Sequence, residues 1–232
     1  MKIRIAKFIA DSGVSSRRGA EDLIEKGVVS VNGTIIKTPI FFVDDKDTIT
    51  VNGRVIKKRK TTELYIFHKP INVMTTSYDP EGRKTIYDCL PKEYKHLKYI
   101  GRLDYKTTGL LLLTNDGDLI KKLSLPSSKI PRVYIATVSN IDLSGLEKAK
   151  KGMTINGISY RPMKIETLGN NDLRIEVIEG KKNEIRIVLR ACGCPVIKLH
   201  RISFGTITLG NLSVGKIRKV SQKTIDALLK SF

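Results

Sequence analysis

The 232-residue chain reads as an α+β protein in two parts, a small helix-helix-strand domain followed by a larger domain built on buried strands. Two short apolar stripes at helical spacing open the chain. Alternating apolar residues then run into Asn-Gly turns, and an uninterrupted leucine run bounded by turn residues lies near the middle.

Ile5, Phe8 and Ile9 recur at i, i+3, i+4, which predicts an amphipathic helix ending before Gly13. Ser15 or Ser16 offers the N-cap of a second helix, Ala20, Leu23 and Ile24 form its buried stripe, and Gly27 supplies a left-handed stop. Val29 and Val31 alternate into Asn32-Gly33, and Ile49 and Val51 into Asn52-Gly53, two strong hairpin signals. The run Lys57-Lys58-Arg59-Lys60 repels itself and stays solvated, so residues 57–63 read as a basic linker. Domain limits follow at 1–56 and 64–232. The second domain opens with a strand over residues 64–67 that ends in His68-Lys69-Pro70. Residues 75–86 are a polar turn region, residues 126–138 read as a loop running into an alternating strand, and Ile175, Val177 and Ile178 lead to Glu179-Gly180. Ile225, Leu228 and Leu229 predict a terminal helix over residues 224–232.

The stretch that organises the chain is residues 100–118, Ile-Gly-Arg-Leu-Asp-Tyr-Lys-Thr-Thr-Gly-Leu-Leu-Leu-Leu-Thr-Asn-Asp-Gly-Asp. Four leucines between a Gly-containing turn and Asn115-Asp116-Gly117 are too short and too closely punctuated for a helix, and read as a buried strand. Asp104 therefore lies at the mouth of a buried element. Taken alone, an Asp in such a turn most often hydrogen-bonds its own backbone.

Composition narrows the partners. Lys and Arg number 42 against 23 Asp and Glu, a formal net charge of +19. Residues 1–60 carry 13 basic and 7 acidic side chains, and the remainder is basic as well, so the excess is not confined to a tail. A chain so charged suits a polyanion, because each cation that neutralises a phosphate releases a counterion. Membrane-spanning runs are absent from the sequence, and Lys7 and Asp11 interrupt what would be the apolar segment of a signal peptide. A cytoplasmic protein is expected, with Cys89, Cys192 and Cys194 as reduced, partly buried thiols. His68, His96 and His200 lack metal-ligand spacing and are expected to be structural or surface residues.

Gly101-Arg102-Leu103-Asp104, Thr108-Gly109, the leucine run and Thr114-Asn115-Asp116-Gly117 together resemble the signature of bacterial ribosomal RNA pseudouridine synthases of the small-subunit synthase A and large-subunit synthase B branch. Val14-Ser15-Ser16-Arg17-Arg18 with Val29-Ser30-Val31-Asn32-Gly33 resembles the RNA-binding module named after ribosomal protein S4. The resemblance implies a catalytic domain with a mixed, mainly antiparallel sheet flanked by helices around a central RNA-binding cleft. It implies Asp104 as nucleophile, Tyr134 of Arg132-Val133-Tyr134 stacked on the target uracil, and Arg186 of Glu184-Ile185-Arg186 paired with Asp104. Leu199 would wall the pocket, and Arg17, Arg18, Lys7, Arg102, Arg132 and Lys181 would meet RNA. Asp79-Pro80-Glu81-Gly82-Arg83 and Glu184-Ile185-Arg186 lean towards the large-subunit enzymes. Implied with these are a monomer needing no cofactor, and ribosomal RNA or a subunit assembly intermediate as partner, with no membrane and no DNA. The competing readings are a noncatalytic RNA-binding or assembly factor on the same scaffold, and a synthase acting on small-subunit rRNA or tRNA.

Overall fold

The computed structural model describes residues 2–58 and 61–230. Arg59 and Lys60, the middle of the expected basic linker, lie outside the described residues, as do Ser231 and Phe232 of the expected terminal helix. The chain forms two compact units, residues 1–62 with 115–117, and residues 63–114 with 118–232.

In the first unit β1 (Ile3–Arg4) leads into α1 (Ile5–Ser12), which stops at Gly13 in the left-handed conformation. The second helix, α2 (Arg17–Glu25), is capped by Ser16, whose Oγ accepts from Gly19 N at 3.0 Å. Of the two serines offered by the sequence, Ser16 is the cap. β2 (Val29–Val31) and β3 (Thr34–Ile35) form a hairpin, β4 (Phe42–Val43) pairs with β1, and β5 (Ile49–Val51) with β6 (Arg54–Ile56) makes a second hairpin. Asn32-Gly33 and Asn52-Gly53 all have positive φ, the geometry of a two-residue type I′ turn. Ile5, Phe8, Ile9, Ala20, Ile24, Val29, Val31, Ile49 and Val51 close over one another as this unit's core.

The second unit runs through β7 (Leu64–Lys69), α3 (Ile86–Cys89), β8 (Lys98–Ile100), β9 (Thr107–Thr114), α4 (Gly117–Ser124) and β10 (Arg132–Val138). It continues with α5 (Leu143–Lys151), the hairpin β11 (Met153–Ile155) and β12 (Ile158–Tyr160), then β13 (Lys164–Gly169), β14 (Asp172–Val177) and α6 (Glu184–Ala191). β15 (Val196–Phe204), β16 (Ile207–Thr208), β17 (Ile217–Lys219) and α7 (Gln222–Lys230) complete it. The main sheet has the order β13-β14-β10-β15-β9-β7-β17, with β8 added on β9 and β16 on β15. Among the described strands only β9 and β15 pair in parallel, so the sheet is mixed and mainly antiparallel.

Burial on both faces explains the leucine run. Leu111 and Leu113 join Tyr65 and Phe67 of β7 in a core that also takes in α5 and α6. Leu110 and Leu112 point the other way, with Leu64 and Ile66, against α4 and α7. A strand at mid-sheet with both faces covered has no solvent side, and its sequence loses the polar alternation of a half-exposed strand. Each such leucine contributes about 1.5–3 kcal/mol by leaving water.

Register, rather than sequence proximity, brings the remaining strands to Asp104. Tyr134 of β10 lies opposite Arg201 of β15, Ala136 opposite Leu199, and Leu199 in turn opposite Thr107 of β9. Gly109 lies opposite Arg201 with φ 107°, and a Cβ there would collide with the Arg201 backbone. Only glycine permits this approach.

Candidate active site

Asp104 occupies the turn between β8 and β9, and the carbonyls from Leu103 to Thr107 each accept a hydrogen bond. Thr75 Oγ1 donates to Leu103 O at 2.7 Å, and Thr107 N to Asp104 O at 2.9 Å. Asn72 N donates to Tyr105 O at 2.9 Å, Arg186 Nη2 to Lys106 O at 3.0 Å, and Lys69 Nζ to Thr107 O at 2.9 Å. Five consecutive peptide oxygens thus each have a donor from a fixed element. A carboxylate on such a turn is positioned before any ligand arrives, which lowers the cost of orienting it later.

Two of these donors are cations. Lys69 is fully buried at the end of β7 and gives its remaining reach to Pro70 O. Burial pushes its ammonium down to about 8, with Cys89 and Asp104 pulling back up and Arg201 pushing further down. Arg186 projects from the first turn of α6, and its Nη1 donates to Val196 O at 3.1 Å. Burial lowers its guanidinium below the usual range, and the Asp104 carboxylate opposes that.

The Asp104–Arg186 pair implied by the sequence resemblance is therefore not a direct ion pair. The guanidinium spends its Nη donors on Lys106 O and Val196 O, and its buried Nε has no protein partner. It holds the turn from behind and acts on the carboxylate through space.

Three hollows adjoin here; Asp104 lines the first two, and Arg102 lines all three. The first, of about 640 Å³, contains Asp104 and Arg186 and is bounded by Thr75, Tyr78, Asp79 and Arg83 of the polar turn region. Asp79 and Arg83 close that end as a pair, Nη2 to Oδ1 at 2.8 Å and Nε to Oδ2 at 3.0 Å. A second, of about 230 Å³, places Asp104 with Tyr134, Leu199, Thr107, Lys181 and Glu184. Tyr134 and Leu199 are 8% and 5% exposed, so they form an apolar floor beside the carboxylate. Arg132 lines the third hollow with Arg102, Tyr134 and Lys181. Lys7, Arg17 and Arg18 belong to the first unit, the latter two exposed at the start of α2.

Sequence reasoning missed Lys69, Thr107 and Glu184 as site residues. Glu184, only 5% exposed, accepts from Lys181 N at 3.3 Å. Burial pushes its carboxyl up to about 7, helped by Glu179 and opposed by Lys181 and Arg132. For Lys69 and Thr107 the signal was a charged or hydroxyl residue at the end of an apolar strand, and for Glu184 an acid opening an apolar helix, neither of which local pattern separates from an ordinary element end.

Residues 63–191 match the family model described as RNA pseudouridylate synthase, and residues 3–49 match that of the S4 domain. The chain belongs to the RNA pseudouridine synthase family. An uncharacterized RNA pseudouridine synthase of Rickettsia conorii is 39% identical over 228 residues, covering 96% of this chain and 98% of that one. Ribosomal large subunit pseudouridine synthase B of Bacillus subtilis is 33% identical over 232 residues, covering 97% and 95%. A crystal structure of a pseudouridylate synthase superposes with TM-score 0.71 at 26% identity over 97% of this chain and 99% of that chain. Within this RNA pseudouridine synthase, Asp104, Tyr134 and Arg186 fall inside the matched synthase region, whereas Leu199 lies beyond it on β15. Lys7, Arg17 and Arg18 fall within the S4 match.

Proposed function

We propose that the protein isomerises uridine to pseudouridine in ribosomal RNA, with large-subunit RNA as its target. The observation that carries the reading is the Asp104 turn, anchored at five successive carbonyls and opening onto the floor made by Tyr134 and Leu199. The similarity to large subunit synthase B of B. subtilis supports the choice of subunit.

In this mechanism the target nucleotide leaves the stack and its uracil lies on Tyr134, which replaces part of the lost stacking at roughly 1–3 kcal/mol per base. Asp104, as the anionic nucleophile, adds to the nucleoside. The bond between C1′ and N1 breaks, the uracil turns in place, C1′ bonds to C5, and the bond to Asp104 breaks so that its carboxylate is regenerated. The C5 proton is then lost and N1 gains one, so the product is an isomer and no redox partner is required. Leu199 limits the turning ring, Arg102 fills space the base vacates, and Lys69 with Arg186 keeps the turn fixed. Residues 1–56 act as an RNA-binding module through Lys7, Arg17 and Arg18, joined over residues 57–63 to the catalytic part, 64–232. The protein works as a cytoplasmic monomer on rRNA or an assembly intermediate.

Incubating the protein with large- and small-subunit rRNA transcripts, mapping pseudouridine chemically and repeating with Asp104→Asn tests this. Product in the large-subunit transcript with wild type, and none with the variant at undiminished RNA affinity, is expected. Product surviving in Asp104→Asn rejects the nucleophile. RNA binding with no product from wild type on any transcript favours the noncatalytic factor, and product in the small-subunit transcript alone moves the target.

A further inference from the structure

The third hollow, about 340 Å³, is lined by Arg102, Arg132, Arg161, Lys181 and Arg201, with Glu179 as its one carboxylate. Glu179 is already committed, at 3.0 Å to Arg161 Nε and 2.7 Å to Lys181 Nζ. Arg132 and Arg201 have no carboxylate within ion-pair distance among the described residues. Their guanidinium carbons stand 5.0 and 5.6 Å from the centre of the same Phe204 ring.

Two cations over one ring repel each other, and burial deprives Arg201, and half-burial part of Arg132, of the water that would screen them. Arg201 is 2% exposed, donates Nε to Leu110 O at 2.7 Å, and leaves Nη2 without a protein partner. Arg132 donates Nη1 to Ile178 O and Glu179 O only. Burial holds its guanidinium below the usual range, and Arg201 pushes it lower still. Neutral carbonyls satisfy part of the hydrogen-bonding capacity and none of the charge. A buried arrangement of this kind is stabilised by an anion supplied from outside.

The strand register says where that anion sits relative to the uracil. Tyr134 is paired across the ladder with Arg201, and Arg132 lies two residues before Tyr134 on the same face. Both guanidiniums therefore flank Tyr134, which makes the backbone of a base resting on that ring the anion they are placed to meet. Tyr134 also lines the second and third hollows alike, so the two spaces adjoin.

Resting on the proposed synthase reading, we infer that Arg132 and Arg201, stacked over Phe204 with Arg161 and Lys181 at the rim, form a recessed subsite for one phosphodiester flanking the extruded uridine. The subsite fixes the backbone while the base turns, since a rotating uracil cannot itself anchor the nucleotide.

The test uses the full-length protein and an rRNA transcript bearing the mapped target uridine, in which the phosphate on either side is replaced in turn by an uncharged methylphosphonate. With wild type, one of the two replacements is expected to raise KM about tenfold while the other changes it little. Arg132→Gln is expected to raise KM on native RNA by a similar factor and to lose no more on that neutral linkage, since both changes remove one interaction. Losses that multiply in the doubly altered pair, or KM within twofold for wild type on both neutral linkages, overturn the subsite. The methylphosphonate arm needs no variant to fold. Absence of any pseudouridine on native RNA is a different outcome: it rejects the synthase reading, on which the subsite rests.

Discussion

Two pairs of cations, Lys69 and Arg201 buried and Arg132 and Arg186 half-buried, are used differently around the site. Lys69 and Arg186 both donate to carbonyls of the Asp104 turn, and both feel the Asp104 carboxylate. Arg132 and Arg201 crowd one another over Phe204 with no carboxylate of their own. The first pair grips the turn that carries Asp104 and serves to fix an acid. The second carries charge with no carboxylate at ion-pair distance among the described residues, which marks it as a place for substrate rather than a brace. Charge alone does not separate these roles; the identity of each donor's acceptor does.

The change with the largest expected effect removes the contrast altogether. Gly109→Ala forces a Cβ into the Arg201 backbone at positive φ, so β15 must withdraw from β9 and carry Arg201 and Leu199 with it. A loss of about 4 kcal/mol or more is expected, read from the urea midpoint of unfolding.

Glu184→Gln sharpens the comparison, because Glu184 is a buried acid that lines the Asp104 hollow and also feels Arg132. Below its ordinary value of 4.5 the carboxyl is neutral in both states and costs nothing. Between 4.5 and about 7 the unfolded chain ionises first, so the native state binds more protons and stability falls as pH rises. The glutamine variant is expected to gain on the order of 3 kcal/mol over wild type in going from pH 4 to pH 8, measured by denaturant titration at both. An unchanged difference between the two proteins places a solvated, ionised carboxylate there instead.

The smallest effect concerns the pair that grips the turn. Arg186→Lys keeps the charge but loses the fork that reaches Lys106 O and Val196 O together, and about a tenfold fall in single-turnover rate is expected. Full activity in this variant reduces Arg186 to a source of charge.

What the chain showed locally, it showed well. The stripes of α1 and α2, the two Asn-Gly hairpins, the strands β7, β9 and β10, and the last helix were all legible, because each depends on a repeat of two or 3.6 residues. The helix α6, which carries Arg186, was read as a motif and not as a helix, although Ile185, Val188 and Leu189 repeat at helical spacing and are all buried. α5 went unread as well; its stripe is only Leu146 and Ala149, among lysines.

Sequence by itself determined the basic partner-seeking character of both parts, the buried strand after Asp104, and a family motif that singled out Asp104, Tyr134 and Arg186. Tertiary structure alone decided that Lys69 and Arg186 grip the turn by its carbonyls, that Arg186 makes no direct ion pair with Asp104, and that Arg132 and Arg201 share Phe204. The reason is physical: helical and strand periodicity is written into neighbours a few positions apart, whereas Lys69 meets Thr107, and Arg201 meets Leu110, only after strands pair. Which carbonyl a buried cation finds is a property of register, and register is settled by the whole sheet.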